Sequence, residues 1–408
     1  MKNRRSMLLL IVLSLGLATA PRASEYTTTS AADKTETAIP FELINRHILL
    51  KIKVNNSDPL WFIFDTGDRF AIIDLERARS MGLKLQGEIN VGGAGAGLLK
   101  GAYVKDSSFT VPGLEGFTQP VTLALPLGML EPNFGHDVDG IIGSDFIKQF
   151  VVEVDYPARL IRLHDKQGFA YSGPGEPVPI TFNQGGHPVV QAEMMLQGRD
   201  PIKGDCVIDL GSGGALALHR PFVEEHRLPP PEQKTIRAMG AGGTGGEITG
   251  RLGRISGLKI GKYTIDNPIT MFSTDTKGAF ANSAIQGNIG TQIMSKFRVF
   301  LDYDRNKIIL EPNSDFKKPL DHASSGLKIL GEGKDYRTFR VKEVLEDSPG
   351  TEASLQKNDL IITINERSAS EFTLTELLQQ FERPVPYKLT VRRAEQTLQV
   401  TLTPRKLV

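Results

Sequence analysis

Two short apolar stretches in this chain run directly into an acidic residue at a turn. WFIF at positions 61–64 precedes Asp65, and VI at positions 207–208 precedes Asp209. Apolar runs of this length that stop at turn residues predict buried strands. Each predicted strand therefore delivers a carboxylate into a turn.

A longer internal repeat surrounds the two acids. DGIIGSDFIKQFVVEVDYPARLIRL begins at Asp139 and aligns with QGNIGTQIMSKFRVFLDYDRNKIIL from Gln286, so that Gly140 matches Gly287 at an offset of 147 (287 minus 140). The two acids match at an offset of 144 (209 minus 65). Each half reads as a strand ending in Asp-x-Gly, a short helix, a Gly-rich segment, strands, an apolar-apolar-Gly turn, a helix and a hairpin. This repeat predicts two homologous β-rich lobes.

The predicted fold is mainly β, with the duplicated lobes followed by a small α+β domain. A chain of 408 residues has room for two or three domains. We place lobe 1 at 40–178 and lobe 2 at 179–314. A polar linker follows at 315–325, and the C-terminal domain occupies 326–408, with one helix at about Thr373–Phe381.

The N-terminus predicts export. Lys2 and Arg4 form a positive start, and the apolar stretch Met7–Leu17 is too short to span a bilayer. We predict a signal peptide at 1–24, a linker at 25–39 and a mature chain that is periplasmic or secreted, with an uncleaved anchor as the alternative. No later apolar run is long enough for a membrane helix, so no membrane span is expected once the signal is removed.

Composition narrows the choice of partners. Lys and Arg total 48 against 47 for Asp and Glu, which gives a net charge of +1 and no electrostatic footprint for nucleic acid. The single cysteine, Cys206, rules out an internal disulfide. Proteins or peptides are the expected partners, and no metal motif such as H-E-x-x-H occurs.

Asp74 and His219 both precede short predicted helices, so we predict that His219 is a helix cap and not a metal ligand.

Two acids at equivalent positions of a duplicated scaffold suggest a specific chemistry. If the lobes pack about a pseudo-two-fold axis, Asp65 and Asp209 meet there. Two carboxylates forced together titrate as a pair and share one proton. The ionised member then activates a water while the protonated member hydrogen-bonds a scissile carbonyl, which suits amide hydrolysis without a metal or cofactor. One Asp-Thr-Gly alone is equally well an ordinary turn.

The chain resembles the bacterial retropepsin-like aspartic proteases that carry both lobes in one chain. The resemblance rests on two pairs of motifs, Asp65-Thr66-Gly67 with Ile141-Ile142-Gly143 and Asp209-Leu210-Gly211 with Asn288-Ile289-Gly290. It implies a closed, mostly antiparallel β fold and a cleft that binds an extended polypeptide substrate through strand-like hydrogen bonds. It also implies that Thr66, Gly67, Gly211 and Ser212 support a catalytic dyad of Asp65 and Asp209.

Two Gly-rich segments, at 92–97 and 240–246, follow the two acids at comparable distances. In retropepsin-like enzymes such segments are flaps that close over the peptide, because glycine gives the backbone the freedom to move. The flap residues predicted in this way are Gly92, Gly93, Gly95, Gly97, Gly240, Gly242, Gly243 and Gly245; plain flexible loops are the alternative. The second segment also matches G-x-G-x-x-G, but the following residues alternate like strands, which excludes a dinucleotide site.

The chain departs from the family pattern at two positions beside the predicted dyad. The residue after each acid is usually Thr or Ser, whose hydroxyl bonds across the lobe interface, whereas Leu210 has no hydroxyl. The residue after each glycine is usually small, yet Asp68 is a third acid next to the pair. A third carboxylate raises the cost of ionising the dyad unless Arg69 or solvent compensates.

The C-terminal domain resembles a PDZ domain of the bacterial kind. The resemblance rests on Ser348-Pro349-Gly350, Ala353-Ser354-Leu355, Asn358-Asp359 and Ile364-Asn365-Glu366, which stand in the family's order. It implies binding of an extended peptide, often a free C-terminus, whose carboxylate is held by backbone N–H groups. We place that peptide loop at Tyr336, Arg337, Thr338 and Phe339; a spacer or a lid on the cleft is the alternative role.

Two functions are therefore open. The first is an exported aspartic endopeptidase whose PDZ domain recruits a substrate or partner. The second is a catalytically inactive peptide-binding protein that retains the protease fold, and Leu210 and Asp68 favour it. We expect a monomer, because one chain holds both acids.

Overall fold

The computed structural model describes residues 36–119, 121–241, 243–320 and 324–408. In these ranges the chain folds mostly into β-strands, which form two similar lobes and a smaller C-terminal domain, so the predicted duplicated β fold is confirmed. The predicted signal peptide, residues 25–35 of the first predicted linker and Gly242 lie outside the described residues.

Lobe 1 is built from strands with three short helices between them. Its strands are β1 (Glu36–Ile44), β2 (His47–Val54), β3 (Leu60–Phe64), β4 (Ala71–Asp74), β5 (Lys84–Gly92), β6 (Leu98–Lys105), β7 (Ser108–Val111), β8 (Leu114–Thr118), β9 (Thr122–Leu125), β10 (Gly140–Ile142), β11 (Val151–Asp155) and β12 (Leu160–His164). Its helices are α1 (Leu75–Ser80), α2 (Glu131–Phe134) and α3 (Ser144–Ile147). Asp74 caps α1 as predicted, because its side chain accepts the N–H of Arg77 at 2.9 Å.

Lobe 2 repeats the plan of lobe 1. Its strands are β13 (Glu176–Pro179), β14 (Thr181–Phe182), β15 (Pro188–Met195), β16 (Ile202–Ile208), β17 (Leu216–Leu218), β18 (Ile236–Ala241), β19 (Glu247–Arg254), β20 (Gly257–Ile260), β21 (Tyr263–Asp266), β22 (Ile269–Ser273), β23 (Gly287–Ile289), β24 (Phe297–Asp302) and β25 (Lys307–Pro312). Its helices are α4 (Arg220–Glu225) and α5 (Thr291–Met294), with 3₁₀ turns at Gly243–Gly245 and Ala279–Ala281.

The strand pairings show that the two lobes share one topology. In lobe 1, β3 runs parallel to β10, which is antiparallel to β4, and β4 is parallel to β9. In lobe 2, β16, β23, β17 and β22 pair in the same order and with the same directions. The sequence repeat is therefore also a structural repeat.

A sheet of six strands joins the lobes in the order β13, β25, β24, β11, β12 and β1. At its centre β11 pairs antiparallel with β24, with Val152 opposite Leu301 and Val154 opposite Val299. At the repeat offset of 147, Val152 corresponds to Val299 and Val154 to Leu301. Each pair is thus the exchanged copy of the other, as a pseudo-two-fold axis between β11 and β24 requires.

One apolar core runs through both lobes. The residues that precede the two acids, including Phe62, Phe64 and Ile208, are completely buried in it. Burying a side chain of this size contributes about 1.5–3 kcal/mol, so these strands are firmly fixed at their ends. The acids that follow them are held on a rigid base.

The domain boundaries differ from the predicted ones at three places. β1 begins at Glu36, inside the predicted linker 25–39, and β13 begins at Glu176, inside the range assigned to lobe 1. Both segments join the sheet between the lobes, and both contain proline, which is uncommon within strands. The predicted linker 315–325 starts as part of lobe 2, because Phe316 packs on Phe297 with ring centroids 5.2 Å apart.

The C-terminal domain has its own sheet and its own core. It contains β26 (Leu327–Glu332), β27 (Thr338–Val344), β28 (Leu360–Ile364), β29 (Arg367–Ser368), β30 (Tyr387–Arg393) and β31 (Gln396–Leu402), with helices α6 (Pro349–Glu352) and α7 (Leu374–Gln380) and a 3₁₀ turn at Ala369–Glu371. The predicted helix is confirmed as α7, which a capping box between Thr373 and Glu376 begins. Phe339 and Leu374 belong to a separate buried cluster.

Candidate active site

Asp65 and Asp209 occupy equivalent positions at the ends of β3 and β16. The Asp65 N–H donates to the carbonyl of Ile142 at 3.0 Å, and the Asp209 N–H donates to the carbonyl of Ile289 at 2.9 Å. The apolar-apolar-Gly turn of each lobe thus holds the acid of the same lobe. The carboxyl group of Asp65 lies against Gly211 and that of Asp209 lies against Gly67, so the structure brings the predicted pair together.

Gly67 and Gly211 are required because each lies against the acid of the opposite lobe. A Cβ on Gly67 would lie 2.7 Å from Oδ1 of Asp209, and a Cβ on Gly211 would lie 2.1 Å from Cγ of Asp65. Both distances are too short for any side chain. The Gly67 N–H also donates to Oδ1 of Asp65 at 2.7 Å. The two glycines therefore permit the close crossing of the loops.

Thr66 forms half of the expected brace between the lobes. Its buried hydroxyl donates to the carbonyl of Ile208 at 2.6 Å and accepts the N–H of Leu210 at 2.9 Å. Leu210 is itself completely buried in the shared core and returns no such bond. One hydroxyl therefore satisfies two buried backbone groups of lobe 2, while lobe 1 receives no reciprocal hydroxyl.

Asn288 is a further site residue that was not predicted from the sequence. Its Nδ2 donates to Oδ2 of Asp209 at 3.0 Å, and its Oδ1 lies 3.2 Å from Nε2 of His219. The signal was present in the repeat, because Asn288 stands where lobe 1 has Ile141. His219 occupies the N-cap position of α4, but its side chain makes no capping bond. The prediction that the His219 side chain caps the helix is therefore wrong, and the ring instead lies beside Asn288.

The electrostatics of the pair follow from burial and mutual repulsion. Burial, followed by the nearby charges of Asp209 and Asp68, raises the pKa of Asp65 well above its usual range. Burial also raises the pKa of Asp209, while hydrogen bonds from Asn288, Gly211 and Ser212 oppose that increase. Of the two, Asp209 has more donors for its ionised form.

Asp68 is a third acid beside the pair, as the sequence indicates. Burial raises its pKa to about 6, although the N–H groups of Phe70 and Arg69 stabilise its charge. The guanidinium group of Arg69 pairs with a different acid, since its Nε lies 3.5 Å from a carboxylate oxygen of Asp145. The N–H of Ser212, the equivalent residue of lobe 2, donates to the backbone carbonyl of Asp209 at 3.2 Å.

The two predicted flaps are hairpin tips that touch each other. The first lies between β5 and β6, and the second lies between β18 and β19. The Gly97 N–H donates to the carbonyl of Gly245 at 2.8 Å, and a Cβ on Gly95 would lie 2.3 Å from that carbonyl oxygen. The first tip also accepts the N–H of Ala279 at Ala94, at 3.2 Å. The tips therefore bridge the two lobes, and β19 continues the second segment as a strand, in agreement with the exclusion of a dinucleotide site.

Comparison with known families identifies both parts of the chain. A family model described as aspartyl protease matches residues 50–146, and a PDZ domain model matches residues 314–392. The chain combines an aspartyl protease domain with a PDZ domain. No curated protein matches it significantly. The two matches support a protease with a PDZ module, and a peptidase of the aspartyl type.

The peptide loop predicted in the PDZ domain, from Tyr336 to Phe339, is not the loop before the edge strand. β26 is the edge strand among the described residues, and α7 packs beside it, so the groove for strand addition lies between them. Tyr336 instead lies in the turn between β26 and β27, with a φ of 56°. The loop before β26 instead contains Gly326, the first residue of the predicted domain.

Lobe 1 covers much of this PDZ groove. The Asn45 N–H donates to Oγ1 of Thr375 on α7 at 3.2 Å, and Gly135 lies against Leu374 so closely that a Cβ there would be 2.5 Å from Cβ of Leu374. A cavity of about 230 Å³ remains between the two domains at this groove. It is lined by residues of both domains, including Leu43, Arg159, Ser325, Leu327, Leu378 and Phe381.

The N–H groups at the beginning of β26 are already bonded within the PDZ domain. The Gly326 N–H donates to Oγ of Ser324, and the Leu327 N–H donates to Oγ of Ser325, both at 3.2 Å. A peptide carboxylate would have to replace these bonds. The docked PDZ domain therefore presents a groove that lobe 1 covers in part, and the first backbone N–H groups of β26 already have hydrogen-bond partners.

The described residues contain no group of three or more His, Cys, Asp or Glu side chains suited to a metal ion. In the same part of the chain, no helix has the length and apolar character needed to cross a membrane.

Proposed function

We propose that the chain is an aspartic endopeptidase that hydrolyses peptide bonds through a water activated by Asp65 and Asp209. The observation that carries the proposal is the contact between two carboxyl groups from equivalent loops, each facing a glycine of the other lobe. Such a pair holds one proton over a wide pH range, which gives an acid and a base at the same place. The aspartyl protease match over lobe 1 supports this chemistry.

The reaction uses both protonation states of the pair. The ionised carboxylate takes a proton from a water lying between the acids, and the resulting hydroxide adds to the carbonyl carbon of the peptide bond. The protonated carboxyl hydrogen-bonds the carbonyl oxygen as negative charge develops there. When the tetrahedral intermediate collapses, a proton passes to the leaving nitrogen and the C–N bond breaks. The pair then regains its single shared proton.

The substrate class in this proposal is an extended polypeptide. The two hairpin tips meet between the lobes, and their glycines carry no side chain that would keep an extended chain from forming strand-like hydrogen bonds with the backbone once the tips separate. Opening of the tips would admit the chain, and their closure would exclude water from the acids. The PDZ domain would recruit a substrate or partner through a free C-terminus. We also propose that the chain is exported and acts as a monomer.

A peptide-binding protein without catalytic activity is the second candidate. Leu210 favours it, because the brace beside the acids is complete only on the side of Thr66. A less rigid pair would retain the cleft and lose the alignment that catalysis needs.

Calorimetry with two matched peptides separates the candidates. One peptide carries a hydroxyethylene group in place of the scissile bond and mimics the tetrahedral intermediate; the other has the ordinary amide and is tested with the Asp65→Asn variant to prevent turnover. An enzyme binds the hydroxyethylene peptide at least 100-fold more tightly than the amide, because it is complementary to the transition state. For an enzyme, the preference for the hydroxyethylene peptide over the amide peptide is also lost in the Asp209→Asn variant. Equal affinity for both peptides would support the binding protein.

A further inference from the structure

The two acids have different neighbouring side chains at one pair of equivalent positions in the two lobes. Ile141 lies on β10 opposite Ile63, and Asn288 lies on β23 opposite Val207. The side chain of Ile141 is buried in an apolar cluster of lobe 1 and has no group to donate. Asn288 instead donates to Oδ2 of Asp209 at 3.0 Å. Only the lobe 2 acid therefore has a side-chain amide donor.

A buried histidine fixes the orientation of this amide. His219 is only 3% exposed, and its ring packs against Phe280 with centroids 4.9 Å apart. Its Nε2 lies 3.2 Å from Oδ1 of Asn288, and its Nδ1 lies 3.2 Å from the carbonyl oxygen of Asn282. Burial lowers the pKa of His219, so the ring is mostly neutral at pH 7. With the proton on Nε2, the ring donates to Asn288 and turns the amide NH₂ toward Asp209.

The surroundings of the two acids reinforce the difference. The backbone N–H groups of Gly211 and Ser212 also lower the pKa of Asp209, against the effect of burial. Asp65 accepts the N–H of Gly67 and faces the negative charge of Asp68. Negative charge is therefore stabilised on Asp209 in lobe 2 and destabilised on Asp65 in lobe 1.

We propose, on the basis of the peptidase function above, that Asn288 is a positioning residue that keeps Asp209 ionised and leaves the shared proton on Asp65. Asp209 is then the base that takes the proton from water, and Asp65 is the acid that hydrogen-bonds the substrate carbonyl. The two members of the pseudo-symmetric dyad therefore have fixed and different roles, Asp209 as the base and Asp65 as the acid. His219 acts behind Asn288 by holding its amide in the donating orientation.

Other titratable groups around the pair contribute to its pH dependence. Asp68 and the buried Tyr303 face Asp65, and Asp145 faces Asp68 while pairing with Arg69 and Lys148. On the lobe 2 side, the ring of His47 packs against Gly213, where a Cβ would lie 2.8 Å from Cε1 of the ring. Burial lowers the pKa of His47 to about 4. None of these groups is altered by the substitutions below.

The test is Asn288→Leu, which gives lobe 2 an apolar residue like that of lobe 1. Without the donor, the first ionisation of the pair becomes harder, and we expect its lower macroscopic pKa to rise by about one unit. Carboxyl ¹³C NMR measures this value whether or not the protein turns over substrate. His219→Leu should shift it in the same direction by a smaller amount, and supplies a second test if Asn288→Leu does not fold. In active protein, the acid limb of the kcat/KM profile should move upward with it.

The outcomes separate this proposal from the peptidase function. A lower pKa that stays within 0.2 units in folded Asn288→Leu and His219→Leu overturns the role of Asn288. A shifted pKa in a protein that cleaves no peptide supports the role of Asn288 and contradicts the peptidase function. As a matched control, Ile141→Asn places a donor beside Asp65 and should reduce the difference between the two carboxyl titrations.

Discussion

At the scale of single residues, the site consists of two acids, the glycines that let them approach each other, and the side chains that form hydrogen bonds around them. The repeat places Asp65 opposite Asp209, and their contact follows from the pseudo-two-fold axis. Asn288 is harder to predict, because an amide in the apolar-apolar-Gly segment changes the chemistry of the site without changing the strand. The missing hydroxyl at Leu210 was predicted, and its consequence is that Thr66 serves two backbone groups alone.

Thr66→Val tests how much this single brace contributes. The substitution preserves shape but leaves the buried carbonyl of Ile208 and the N–H of Leu210 without their partner. We expect a loss of about 3 kcal/mol in the free energy of unfolding, measured by urea denaturation. Thr270→Val is the matched control, since that buried hydroxyl bonds only the carbonyl of Pro268, and it should cost about 1 kcal/mol. Equal losses in the two variants would contradict the bracing role.

Asp68→Asn tests the third acid through the pH dependence of stability. With a native pKa of about 6, Asp68 keeps its proton in the folded state at pH values where the unfolded chain, with a pKa near 3.9, has released it. Its contribution therefore makes the free energy of unfolding fall as pH rises from about 4 to 6. The variant should gain about 1–3 kcal/mol over the wild type across this range and keep that gain at pH 7. Asp58→Asn, at an exposed acid, controls for the lost charge; a gain for Asp68→Asn that does not vary with pH would contradict this account.

At the scale of elements, the order of strands and helices follows from the sequence, while their edges and tips do not. The repeated pattern predicts both lobes because every unit occurs twice. The first residues of β1 and β13 were not predicted, because 36–38 and 176–177 show no apolar alternation and are held by pairing in the sheet between the lobes. The contact between the hairpin tips could not be predicted from the sequence either, because a run of glycines does not indicate which other segment it will contact.

Gly245→Ala tests the contact between the tips. A Cβ on Gly245 would lie 2.4 Å from the backbone nitrogen of Gly95, so the tips must separate. We expect the Gly97 amide, which donates to the carbonyl of Gly245, to exchange its hydrogen at least tenfold faster than in the wild type. Gly92→Ala is the control at the base of the hairpin, where the nearest atom to a Cβ is a Leu98 methyl group at 3.4 Å. Protection of Gly97 that survives Gly245→Ala would argue against the contact.

At the scale of the whole molecule, the PDZ domain contacts both lobes. Tyr336 donates its hydroxyl to Glu131 and Asp137 of lobe 1, at 2.9 and 3.0 Å. Lys342 pairs at 2.6 Å with Glu247, the first residue of the strand that follows the second hairpin tip. The sequence identifies the domain through its motifs, but docking surfaces are spread over residues far apart in the chain and leave no local signal. This is why the covered groove was not predicted.

A triple variant, Tyr336→Phe with Glu247→Gln and Lys342→Met, tests the docking. Single exposed ion pairs contribute little, so the contacts are removed together. We expect small-angle scattering to give a radius of gyration clearly above the value of about 21 Å for a compact chain of this size. Arg367→Gln with Glu371→Gln removes a surface pair within the PDZ domain and serves as the control. A triple variant as compact as the wild type would contradict the importance of these contacts.

Cleavage of a mixed peptide library tests the central claim most directly. The mature chain, Asp65→Asn and Asp209→Asn are each incubated with the library from about pH 4 to 8, and the products are identified by mass spectrometry. Asp205→Asn, at an exposed acid of lobe 2, is the matched control. We predict that the wild type and Asp205→Asn cleave the same bonds and that both dyad variants lose this cleavage. The absence of cleavage by folded wild-type protein throughout this range, or cleavage that persists in both dyad variants, would contradict the account.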